Sequence, residues 1–181
     1  MAITLDGTNG IVAPSVENAD GAFRPLISGT AVTASGTVVD FTGIPSWAKK
    51  ITVTISGLST ASTGIPIIQI GDAGGVENTG YEAGACFGTQ AASHYYSSTV
   101  GFPLSTAGQL ATWISSGSVT FTNISGNIWV GSGSMFLGGI AVVTAACAGS
   151  KTLSGTLDRI RLTTNTGTDT FDAGTINIMY E

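Results

Sequence analysis

The stretch "KKITVTISG" (residues 49–57) sets Ile51, Val53 and Ile55 on one side of the chain and Thr52 and Thr54 on the other. A period of two is the repeat of a strand, and this one reads as half-buried, with hydroxyls on its outer face. The same alternation returns in Val119 and Phe121 of "SVTFT", in Leu157 to Leu162 of "LDRIRL", and in Ile176, Ile178 and Tyr180 of "TINIMYE". Between these lie "GDAGG", "NISGN", "GSGS", "NTGTD" and "DAG", whose Gly, Asn and Asp residues suit turns. Strands recurring roughly every ten residues, with no sustained amphipathic helical window, predict an all-β fold: an antiparallel β-sandwich or jelly-roll-like domain. Just upstream, Pro45 of "IPSWAKK" blocks ladder pairing, so the strand begins after it and Trp47 is expected to cover one end of the core. Arg159 and Arg161 need carboxylate partners, for which Asp158, Asp169 and Asp172 are the natural choices.

The composition narrows the function classes. With 181 residues, one domain plus an arm is expected. Only 9% of residues are charged, against about 25% in ordinary soluble domains. Gly contributes 26 residues, and Ser with Thr a quarter of the chain, so the surface must be built of hydroxyls and amides. Such a surface suits packing against copies of itself. A net charge of −5 with six scattered Lys and Arg removes the attraction on which nucleic-acid binding rests. Mean hydropathy is +0.36, yet no stretch approaches the roughly 18 to 20 apolar residues of a spanning helix, so no membrane insertion is expected. The longest apolar run, Met135 to Cys147, contains Gly138-Gly139 and reads as one or two buried strands. Nor do the first residues read as a secretory signal, since Asp6 stands where an apolar run should be. Cys86 and Cys147 could bridge a sandwich, but buried free thiols are the simpler reading.

Residues 1–28 differ in character from the sandwich domain expected over residues 29–181. They carry Pro14 and Pro25 and no sustained alternation, and the opening "MAITLDGTNGI" breaks on Asp6-Gly7-Thr8-Asn9-Gly10. Gly tolerates positive φ, and Asp or Asn can bond its own backbone, so this segment favours tight turns. An extended arm follows from this, with Ile3, Leu5 and Ile11 to bury against another chain and Asp6, Gly7, Asn9 and Gly10 shaping its turns.

No catalytic set emerges. A hydrolase needs a nucleophile, a base and an orienting group, whereas His94 of "ASHYYSS" is the chain's one histidine and no GxSxG is present. Asp72, Glu77 and Glu82 of "GDAGGVENTGYEAG" could form a glycosidase pair or a calcium loop, but a solvated turn region explains them as well. "DTFDAG" does not match EF-hand spacing, and Gly131 and Gly133 read as turn glycines because no helix follows them. No cofactor or metal is expected. Binding remains: His94, Tyr95, Tyr96 and Trp113 stand among Ser, Thr, Gly and Asn, a mixture suited to stacking on sugar rings and bonding their hydroxyls. Trp129 of "NIWVG" reads instead as an interior residue.

"ITLDGTNGI" resembles the start of small virion proteins of tailed bacteriophages. "GIPSWAKKITVTISGLST", "IQIGDAGG" and "LSGTLDRIRLTTNTGTDTFDAGTINIMYE" look like the β-rich domain that follows in them. The resemblance implies a non-enzymatic virion surface protein assembled in the host cytoplasm, held to other capsid or tail proteins by its arm, and homotrimeric. It departs from a long tail fibre in length, since 181 residues leave no room for a shaft. A capsid decoration protein, head fibre or short tail fibre is expected. The alternative is a tail-fibre adhesin domain that binds a host surface glycan through the aromatic residues.

Overall fold

The computed structural model describes residues 26–108, 112–139 and 143–181, together with the backbone of two short strands near the start of the chain. Those strands, β1 (Thr4–Asp6) and β2 (Gly10–Val12), pair antiparallel on either side of the expected turn. Fourteen further strands follow: β3 (Ile27–Ser28), β4 (Val32–Thr33), β5 (Val39–Thr42), β6 (Lys50–Thr60), β7 (Pro66–Asp72), β8 (Gly75–Val76) and β9 (Tyr81–Gly88); then β10 (Ser93–Ser98), β11 (Phe102–Pro103), β12 (Ser115–Ser125), β13 (Ile128–Leu137), β14 (Val143–Thr152), β15 (Leu157–Thr164) and β16 (Phe171–Tyr180). The described residues contain no helix, and so none long and apolar enough to cross a membrane.

Two antiparallel sheets pack face to face, as the period-two pattern predicts. The large sheet runs β10-β9-β14-β13-β12-β6-β16-β3, with β4 also on β16. The small sheet runs β11-β7-β15-β5, with β8 on β7. Ile27 and Ser28, the last residues expected in the arm, pair with Tyr180 and Met179 at the edge of the large sheet.

Alternation decides what lies between the sheets. Ile51, Val53 and Ile55 of β6 join Val119 and Phe121, Trp129 and Met135, and Ile176 and Ile178 on the inner face of the large sheet. Ile68 and Ile70, Ile160 and Leu162, and Val39 and Phe41 meet them from the small sheet. At the centre, Phe102 lies edge-on to both Phe121, at 4.9 Å between ring centroids, and Tyr81, at 5.3 Å. Edge-to-face pairs of this kind add about 1 kcal/mol each beyond the area they bury. Trp129 is interior and Trp47 caps one end of the core against Tyr180, both as expected.

Other local expectations meet mixed outcomes. Gly131 and Gly133 stand in the middle of β13, not in a turn. A Cβ at Gly131 would come within 2.7 Å of the Phe121 ring, and one at Gly133 would overlap the Ser118 carbonyl oxygen, so close approach requires both glycines. Cys86 and Cys147 lie on adjacent strands but face opposite ways, because Cys86 stands opposite Ala146 and Cys147 opposite Ala85. They are therefore free thiols, as the simpler reading has it, with Cys147 buried but Cys86, against that reading, exposed. Arg159 takes its neighbour Asp158, one of the expected partners, but Arg161 takes Asp40, its cross-strand partner in register. Asp169 is left to accept from Thr164 and Thr166, and Asp172 from Ser59.

Candidate functional site

The carboxylates of the glycine-rich loop are tied into a latch. Leaving β7, the chain turns so that Asp72 accepts the Gly74 amide at 2.8 Å, then returns through β8 to Glu77. Ser154, in the turn between β14 and β15, lies with its Oγ 2.7 Å from Asp72 and 2.8 Å from Glu77, and its amide donates to Glu77 at 2.7 Å. The other Glu77 oxygen meets Lys151 Nζ at 2.5 Å, and that cation sits over the Tyr81 ring. Tyr81 Oη accepts the Ile70 amide at 2.9 Å and lies 2.7 Å from the Glu77 carbonyl. Burial pushes the Glu77 carboxyl up, but hydrogen bonds from Lys151 and Ser154 outweigh it and hold it below its ordinary value. The Ser154 hydroxyl and the Gly74 amide likewise lower Asp72. Both carboxyls are thus ionised near neutrality, whereas a glycosidase acid must stay protonated. Glu82 is exposed on the outer face of β9 and takes no part in the latch.

A groove of about 290 Å³ lies on the outer face of the small sheet. Gln69 of β7, Arg161 of β15 and Asp40 of β5 stand side by side in register across three strands. Gln69 and Arg161 line the groove with Thr163, and Asn165 to Gly167 form its far lip. Val38, Val76 and Val100 supply its apolar surface. Arg161 is held by a two-pronged contact with Asp40, both distances being 2.7 Å. Gln69, only 8% exposed, donates Nε2 to the Val100 carbonyl at 2.8 Å.

The aromatic residues singled out by sequence do not converge. His94 and Tyr96 leave β10, the edge strand of the large sheet, on one side and Tyr95 leaves on the other. His94 stacks on Phe87 at 4.6 Å. Tyr96 Oη reaches Asn165 Nδ2 at 3.4 Å, beside the groove lip. Tyr95 is 85% exposed, beside Cys86 on the outer face. Trp113 is half-buried over Gly139, where a Cβ would fall on its ring. Sequence reasoning missed the groove because its floor joins residues about a hundred positions apart, and "NTGTD" offered only a turn.

On the outer face of the large sheet, two neighbouring rows carry no charge, while the row beyond them holds Lys50 and Glu82 at its ends. One row runs Thr54–Ser118–Ser134–Ala146–Cys86–Tyr95 across six strands, and the next runs Thr52–Thr120–Ser132–Ala148–Gly84–Ser97. Of the arm residues, Leu5 and Asp6 fall in β1, opposite Ile11 and Gly10 of β2, while Ile3, Gly7 and Asn9 lie outside the described residues. Among the described residues no three His, Cys, Asp or Glu side chains gather as a metal site would require. No family model, curated protein or solved structure matches the chain.

Proposed function

We propose that this chain is a non-enzymatic structural protein of a bacteriophage particle surface, a capsid decoration protein, head fibre or short tail fibre. Residues 1–25 attach it to neighbouring capsid or tail proteins, and the sandwich associates as a homotrimer. The observation that carries the reading is the outer face of the large sheet, where two cross-strand rows six strands wide hold no charged side chain. Charge keeps surfaces apart and soluble; rows made mostly of Ser, Thr, Ala and Gly let a neighbour approach closely at little desolvation cost beyond their hydroxyls. The ionised latch of Asp72 and Glu77 supports the non-enzymatic half of the reading, since it holds both carboxyls in the form that cannot donate a proton.

Truncation tests attachment. Removing residues 1–25 leaves Ile27 and Ser28 to pair with β16, so the domain is expected to fold while incorporation into particles is lost. Incorporation retained by the truncated chain would refute the attachment role. A second reading, recognition of a host glycan, is favoured by the mixed polar and apolar lining of the groove, with Tyr96 at its lip.

A further inference from the structure

We infer that the groove on the outer face of the small sheet binds an uncharged saccharide, one hexose unit at its floor. This deepens the glycan reading and moves it away from the exposed face that carries Tyr95. Gln69 offers the groove an acceptor that no described protein group occupies. Gln69 is more than nine-tenths buried, its Nε2 is committed to Val100, and its Oε1 has no partner among the described residues. That oxygen is open to the groove, where a ligand hydroxyl can donate to it.

Charge decides the kind of ligand. The groove's cation, Arg161, is already neutralised by the bidentate Asp40 contact, which leaves Nη1 as a donor without a net positive field. A phosphate, sulfate or sialic acid would meet Asp40 beside the guanidinium and gain little. A neutral sugar asks for what is present: an amide acceptor at Gln69, a donor at Arg161, and the exposed amide of Asn78, which makes no side-chain hydrogen bond among the described residues. Val38, Val76 and Val100 offer the apolar surface against which a pyranose lays its C–H face. The volume of about 290 Å³ accommodates one sugar ring.

The test uses the full chain and methyl glycosides of glucose, galactose, mannose and N-acetylglucosamine, followed by saturation-transfer NMR and amide chemical shifts. At least one neutral glycoside is expected to bind at millimolar concentration and to shift the side-chain resonances of Gln69 and Arg161. Asn78→Ala, at an exposed position, should weaken binding about fivefold, the loss of one hydrogen bond. Gln69→Ala should weaken it further, and Tyr95→Ala should leave it unchanged. Binding that survives Asn78→Ala and Gln69→Ala but falls with Tyr95→Ala would overturn the groove assignment while leaving glycan recognition standing. Failure of all four glycosides would overturn both. Preference for sialyllactose over every neutral glycoside would overturn the uncharged class.

Discussion

Replacing Lys151 by methionine isolates what holds the glycine-rich loop to the sandwich. Methionine fills the space of the lysine stem and removes only the cation that meets Glu77 at 2.5 Å. Breaking a buried ion pair by removing one partner costs about 3–5 kcal/mol. Here the Lys151 side chain is 7% exposed and Glu77 21%, and Glu77 keeps two hydrogen bonds from Ser154. Partial solvation and those bonds lower the cost to about 2 kcal/mol, and loss of the cation over the Tyr81 ring adds about 0.5 kcal/mol to it. Urea unfolding followed by tryptophan fluorescence should show that loss at pH 7. The pH dependence supplies a sign. The Glu77 carboxyl is held below its ordinary 4.5, so its stabilisation is complete above that value and fades as pH falls through the folded-state value beneath it. The difference between wild type and Lys151→Met should therefore shrink below about pH 4. Adding Glu77→Gln to the methionine variant should recover part of the loss at pH 7. A loss under about 0.5 kcal/mol at pH 7, or one equally large at pH 3, would refute the latch.

Three further outcomes follow from packing. A thiol reagent should modify Cys86 rapidly in the native protein and Cys147 only on unfolding, since burial raises the Cys147 thiol to about 11; equal rates would contradict the register of β9 and β14. Phe121→Ala should cost about 3–5 kcal/mol in urea unfolding, because the ring is fully buried and edge-on to Phe102; a loss below about 1 kcal/mol would place it outside the core. Gly133→Val should prevent folding or lower the midpoint severely, whereas Tyr95→Ala should stay within about 0.5 kcal/mol of wild type.

The strands were legible because alternation is a local property: Ile51, Val53 and Ile55 announce their face without knowledge of any partner. Turn chemistry was legible at "NISGN", which joins β12 to β13, and misleading at "GSGS", where glycine serves Phe121 and Ser118 of the strand beside it. Register is not local, and the pairing of Arg161 with Asp40 across 121 positions lay beyond any reading of spacing. The groove was hidden for the same reason, as Gln69, Arg161 and Asn78 become neighbours only once β7, β8 and β15 assemble. Adjacency in sequence even misled, since His94, Tyr95 and Tyr96 are consecutive and a strand sends them to opposite sides. Ile27 and Ser28 form a strand of two residues, too short a run to show a period in the sequence.

The most direct measurement of the central claim is immunogold electron microscopy of purified phage particles from a lysate that encodes this chain, with the unassembled fraction assayed in parallel. The account predicts gold on the particles, over the head for a decoration protein or head fibre and at the tail for a short fibre. Particles free of gold, with the chain abundant in the unassembled fraction, would contradict it.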